Sequence, residues 1–158
     1  MEQPRLAPLP NMRYAFVFVA ILFALEIAYL LLKTTALQAM FTVLSIVGLI
    51  WWLSVVGQIH VVLRQVTQDS YPTSPRQAAL FHLIPLFNLA WVFIWMNRVV
   101  DFLNQRSSAR RERKWWLGFA LLLSILLARL DLAIGLAATF SVLFYVTHRV
   151  RHAISASA

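Results

Sequence analysis

Apolar residues run along this chain in long stretches rather than at alternate or every third and fourth positions. Four stretches stand out: Tyr14 to Leu32, Leu37 to Gly57, Ala78 to Met96, and Trp115 to Thr147. A helix rises about 1.5 Å per residue, so about 20 such residues cross the roughly 30 Å hydrocarbon core of a bilayer. The first stretch predicts a helix over about 12–33, entered from a segment holding Pro4, Pro8 and Pro10, with Asn11 as N-cap. Thr34-Thr35 marks a tight turn. Thr35 and Gln38 have capping-box spacing and open a second helix over about 37–66. Residues 67–75 form a polar loop with two prolines, ending in a start signal: Ser74 as N-cap, Pro75 at N1 and Gln77 at N3.

The third helix, about 75–105, contains Pro85. Proline has no N–H and collides with the preceding turn, so a break near 85–88 is predicted, with Asn88 capping the second piece. The last stretch is too long for one ordinary span. Arg129 suits a helix C-terminus and Asp131 an N-cap, which predicts a hairpin of helices over about 115–129 and 131–150. A single long kinked helix is the alternative.

The fold class that follows is all-α: a polytopic transmembrane helix bundle forming one integral membrane domain over 1–158. It has four spans plus a Pro-broken segment, re-entrant or kinked, with five spans as the alternative. Composition agrees, with 61% hydrophobic residues, 13% charged and a mean hydropathy of +0.72. A soluble domain carries about a quarter charged residues, so too little polar surface is present to cover a water-soluble globule. Low-complexity disorder is excluded by the same hydrophobicity. The first stretch exceeds the roughly 7–15 apolar residues of a signal peptide and lacks an A-x-A site, so it is expected to be retained as a helix. The chain has no cysteine, which removes disulfides, thiolate metal sites and cysteine nucleophiles.

The net charge of +8 is carried by Lys and Arg at the ends of the apolar runs, the arrangement of positive-inside topology. Anionic lipid headgroups are the expected counterions. No nucleic-acid partner is expected, since no separate domain presents a basic face. If segment 78–96 dips in and returns, Arg5, Arg13, Arg64, Arg76, Arg98, the 106–114 cluster, Arg149 and Arg151 share one side. Only Lys33 and Arg129 then face the other. If it crosses, Arg5, Arg13, Arg64, Arg76 and Arg129 lie outside. Charge asymmetry favours the first arrangement, with both termini cytoplasmic.

Several residues carry candidate chemistry. The Pro85–Asn88 break frees backbone groups of the kind transporters use for ions or substrates, or it is a structural kink whose groups are satisfied by Asn88 and neighbouring helices. Glu26 lies within the first helix, where a charge is costly, and is expected to meet Arg129 or another polar group inside the bundle. His60, His82, His148 and His152 fall toward the inner face. His148 and His152, four apart, have a metal-capable spacing, but Arg149 and Arg151 beside them repel a cation, so no metal site is expected. Helical histidines also hold haem or chlorophyll, for which His60, His82 and His148 are the candidates, although no cofactor is expected. Trp51-Trp52, Trp91, Trp95 and Trp115-Trp116 read as an interfacial belt or as a stacking surface. Ala133, Ala137 and Ser141 repeat every four residues, a small-residue face that lets another helix approach, within the protein or in a partner.

From Trp51 to Arg149 the chain resembles a group of bacterial integral membrane proteins defined by a domain of unknown function. The features that carry the likeness are the Trp-rich second helix, Ser74-Pro75, and Ile84-Pro85-x-x-Asn88-x-x-Trp91. The basic loop and Trp115-Trp116 complete it. The resemblance implies a fold and a place in the inner membrane of a bacterium, and no activity. The expected function is a non-enzymatic accessory or scaffold subunit packing against other membrane proteins or itself. The alternatives are a small transporter or channel using the Pro85–Asn88 break and Glu26, and a haem- or chlorophyll-carrying subunit.

Overall fold

The computed structural model describes residues 7–84, 86–106 and 111–156, and every regular element among them is helical. The order is α1 (Arg13–Leu32), α2 (Thr35–Val66), α3 (Pro75–Leu80), a 3-10 turn (Phe81–Leu83), α4 (Phe87–Arg106), α5 (Trp116–Leu130) and α6 (Leu132–Ser155). Arg5, Pro85 and Arg110 lie outside the described residues. Three helices, α1, α2 and α6, are long and apolar enough to cross a membrane, while α5 is apolar but spans only 15 residues.

Local chemistry explains the boundaries and corrects some of the expected caps. Asn11 makes the capping bond expected of it: its Oδ1 accepts from Arg13 N at 3.1 Å, and Met12 between them is already helical (φ −83°, ψ −1°). Thr34 rather than Thr35 caps α2, accepting from Leu37 N, because the turn after Lys33 leaves Thr34 as the extended residue. The Ser74–Gln77 capping box forms in full, with Pro75 behind it. Asn88 caps nothing, since its side chain is turned to His82 and Leu86 enters α4 in a left-handed conformation (φ 64°). Asp131 closes α5 and opens α6 at once, its carboxylate accepting from Ile134 N at 2.8 Å. The predicted hairpin therefore holds, and α6 runs on to Ser155, past the expected end near 150.

The α5–α6 turn needs no glycine of its own, but the helices close tightly just after it. A Cβ placed at Gly135 would fall on the backbone of Ala128. Only glycine permits that approach. Ala133 is consumed inside the core, Ala137 is half-buried and Ser141 is exposed, so the small-residue face serves internal packing at its first position.

The segment from α3 through α4 folds back on itself. Trp91 Nε1 donates to Ala78 O at 3.2 Å, Arg98 Nη1 to Thr73 Oγ1 at 2.6 Å, and Arg106 Nη2 to Val66 O at 3.1 Å. These pairs step outward from the tip, which is the signature of an antiparallel helical hairpin. Phe81 and Phe87 meet edge to face near the tip, with ring centres 5.3 Å apart. The tip reaches Trp52, whose ring centre is 4.6 Å from that of His82. Trp52 lies roughly 21 Å along α2 from Val66 at 1.5 Å per residue.

The core sits toward one end of the bundle, where Val55 to Leu63 of α2, Trp95 to Leu103 of α4 and Phe140 to Val150 of α6 are buried together. The segment before α1 and the last turn of α6 gather there too: Ala7 N donates to Gln65 Oε1 at 2.7 Å, beside the end of α2, and Ala7 to Leu9 share a cleft with Ile154 and Ser155. The opposite end carries Glu26, Lys33, Arg129 and Asp131, whose charges cancel, so the formal net charge of +8 resides with the rest of the chain. Around the outside, large apolar side chains stand exposed on α1, α2, the hairpin tip and α5, including Leu31, Ile50, Leu86, Phe119 and Leu130. A soluble monomer rarely exposes contiguous apolar surface on this scale.

Candidate functional site

Where α2 and the α5–α6 hairpin separate above the tip of the α3–α4 hairpin, they leave a pocket of about 620 Å³. Phe41, Ser45 and Leu49 of α2 form one wall, Ile125 and Ala128 of α5 another, and Leu136 and Thr139 of α6 a third. The hydroxyls contribute little polarity, because Ser45 Oγ donates to Phe41 O of its own helix at 2.7 Å. The polar part of the lining is His82, Asn88 and Trp52. His82 Nδ1 lies 2.6 Å from Asn88 Oδ1. An amide oxygen only accepts, so this imidazole nitrogen carries the proton and donates, leaving Nε2 as a lone pair. The same bond occupies the oxygen of Asn88 and leaves its amide N–H groups as donors at the pocket.

Behind this pocket runs a string of buried rings. Trp52 meets His82 at 4.6 Å, His82 meets Trp95 at 5.9 Å, Trp95 meets His60 at 5.3 Å, and His60 meets Tyr71 at 5.6 Å, all between ring centres. His60 Nδ1 donates to Val56 O at 2.8 Å, so its Nε2 is also a lone pair. Along the string, Trp52 Nε1, His82 Nε2, Trp95 Nε1, His60 Nε2 and Tyr71 OH are buried without a hydrogen-bond partner among the described residues. Such atoms are rare in proteins. At the loop end of the string, burial pushes the Tyr71 phenol above its ordinary pKa.

The structure brings His60, His82, Asn88, Trp91 and Ile84 into one neighbourhood and leaves the other candidates apart. Trp91 locks the hairpin through Ala78 and stacks with Phe87, whose ring centre is 5.9 Å away. Ile84 is exposed at the tip. Glu26 lies beside Asp131, within hydrogen-bonding reach of its carboxyl group, so the polar group it meets is Asp131 and not Arg129. Glu26 is not among the residues lining the pocket. His148 and His152 place their Nε2 atoms 3.3 Å apart on an exposed face. Among the described residues no group of three or more His, Cys, Asp or Glu converges as a metal site.

The belt reading is corrected for three of the tryptophans. Trp52, Trp91 and Trp95 are buried at 6%, 4% and 0% exposure, whereas Trp115 and Trp116 are exposed. The buried rings are claimed by the α3–α4 hairpin, which the apolar pattern alone does not fold back. Two functional features escape the sequence entirely. One is the pocket, which arises from the divergence of three helices. The other is Glu112, a carboxylate in the basic loop. It is 9% exposed, lies 3.0 Å from Arg149 Nε, accepts from Tyr145 OH at 2.6 Å and is tied through its backbone to Asn104. That knot fixes the entry to α5, where Trp115 adopts φ 74° with its N–H on Asn97 Oδ1 at 2.9 Å.

Comparison with known proteins finds no matching family, no matching curated protein and no matching solved structure.

Proposed function

We propose that this chain is a non-enzymatic multi-pass membrane protein that holds a lipid-soluble small molecule in the pocket between α2, α5 and α6. The observation that carries this reading is the pocket's make-up: about 620 Å³ of mainly apolar wall with one polar corner, the His82–Asn88 pair. Ligand sites are typically apolar clefts of about 300–1,000 Å³ with a few placed polar groups. The tail of the ligand lies along Leu49, Ile125 and Leu136, and an acceptor such as a carbonyl or ester oxygen takes the free N–H groups of Asn88.

In this reading α1, α2, α5 and α6 span the bilayer and the α3–α4 hairpin is re-entrant, entering and leaving on the basic, cytoplasmic side. The exposed apolar tip supports it: Leu83, Ile84, Leu86 and Phe87 all face outward at the turn, where water would disfavour them and lipid would not. Leu86 takes a left-handed backbone at the tip, where glycine would be less strained, and an apolar side chain there suits a site inside lipid. Glu26 stands apart from the pocket, which favours binding over conduction through the bundle.

Native mass spectrometry of the protein extracted in mild detergent tests the reading. A bound lipid-soluble species is expected in the wild type and is lost in Ser45→Phe, which fills the pocket from α2. Equal occupancy in the two proteins, or none in either, would refute it. A second reading, an accessory subunit, is favoured by the shallow groove between α5 and α6 that Phe119, Leu123, Ala138 and Ser141 line. A stoichiometric membrane partner lost on Ser141→Trp would support that one.

A further inference from the structure

A second cleft lies at the basic end of the bundle, between the start of α1 and the last turns of α6. It encloses about 170 Å³ and is lined by Asn11, Arg13, Thr147, His148 and Arg151, with Phe144 on its apolar side. We propose that this cleft binds a phosphate group, that of an anionic phospholipid headgroup or of a free phosphate.

Four features converge on that chemistry. Arg13 and Arg151 come from different helices and reach the same small space. Neither has an ion-pair partner among the described residues, since the acidic groups of this end are taken: Asp69 by Arg64, Asp101 by Lys114, and Glu112 by Arg149. The cleft also sits at the N-terminus of α1, a helix of 20 residues, where the positive end of the helix dipole favours an anion. Independently of charge, Thr147 is 3% exposed, lines the cleft, and has a buried hydroxyl without a protein partner. A hydroxyl held in that state beside two guanidinium groups is satisfied by a phosphate oxygen. His148 adds a ring whose Nε2 is already turned to His152 at 3.3 Å.

The lipid source is favoured by what adjoins the cleft. Phe144 is exposed beside it and meets Phe16 edge to face, with ring centres 5.6 Å apart, so an apolar surface leads from the phosphate position toward the exposed face of α1. The lipid arm rests on the membrane placement proposed above. The phosphate arm does not.

The test uses the full chain in detergent with two probes, dioleoyl phosphatidylglycerol and inorganic phosphate. Native mass spectrometry counts retained lipid, and thermal unfolding reports phosphate. The wild type is expected to retain phosphatidylglycerol at least tenfold over phosphatidylcholine. Arg13→Gln with Arg151→Gln should lose that preference, and Thr147→Val should weaken it about threefold. Arg111→Gln with Arg113→Gln, which removes two exposed cations elsewhere on the same end, should leave it intact. A phosphate-dependent rise in unfolding temperature that the Arg13/Arg151 pair abolishes, without lipid retention, assigns the site to a free phosphate and upholds the chemistry. The proposal is overturned if neither probe distinguishes the Arg13/Arg151 variant from wild type. Equal loss in the Arg111/Arg113 control would also overturn it, because the effect would then be general surface charge.

Discussion

Replacing Glu112 with alanine tests how the basic loop is fastened to the bundle. The carboxylate side chain is 7% exposed and that of Arg149 19%, at 3.0 Å. Removing one partner of a fully buried pair costs about 3–5 kcal/mol. The partial exposure of Arg149 lowers that figure, while the lost bond from Tyr145 OH to a charged acceptor adds about 1.5–3 kcal/mol of its own. The two terms overlap on one carboxylate, so Glu112→Ala is expected to cost about 3 kcal/mol. Glu112→Gln keeps an acceptor for Tyr145 and should cost about half as much. Unfolding by denaturing detergent in mixed micelles, followed by fluorescence of the six tryptophans, measures both variants. A double-mutant cycle with Arg149→Leu should return a coupling of about 1–2 kcal/mol. A loss below about 0.5 kcal/mol for Glu112→Ala, or strict additivity in the cycle, would refute the reasoning.

Three further outcomes follow from packing. Gly135→Ala forces α5 from α6 against the Ala128 backbone and should cost about 1–3 kcal/mol, whereas Gly57→Ala, whose nearest neighbour would be Pro75 O at 3.9 Å, should gain up to about 1 kcal/mol. Similar effects at the two glycines in the same unfolding assay would contradict the packing described. Trp91→Phe should destabilise more than Trp95→Phe by about 1 kcal/mol, because only the Trp91 N–H has a protein acceptor; the reverse order would show that the string of rings has been misread. Ser74→Ala breaks the capping box of α3 and should cost about 1 kcal/mol, visible as earlier unfolding; no change would mean that the cap contributes nothing to seating the hairpin.

Most helix boundaries were legible because they depend on short-range chemistry. Ser74-Pro75-Gln77 and Asp131 each announce a helix start through a side-chain acceptor and a fixed spacing, and both act as read. The capping errors at Thr35 and Asn88 arise where two adjacent polar residues compete, or where a side chain finds a better partner. His82 outbids the helix terminus for Asn88. The pocket was not legible, since it depends on how three helices diverge, and the buried tryptophans were misplaced for the same reason. Trp52 and Trp95 look like interfacial residues until the α3–α4 hairpin folds over them. Glu112 was hidden in a run of arginines and lysine, where a lone carboxylate reads as a neutralised surface charge, yet it is the buried anchor of that loop.

The central claim is that the α3–α4 hairpin enters and leaves the membrane on one side while α1, α2, α5 and α6 cross it. The chain has no native cysteine, so single-cysteine labelling with a membrane-impermeant maleimide reads its topology directly in sealed vesicles of known orientation. Ser70→Cys and Arg113→Cys, on exposed positions before and after the hairpin, are predicted to label from the same, cytoplasmic face, and Thr34→Cys only from the other. Labelling of Ser70→Cys and Arg113→Cys from opposite faces would contradict the account.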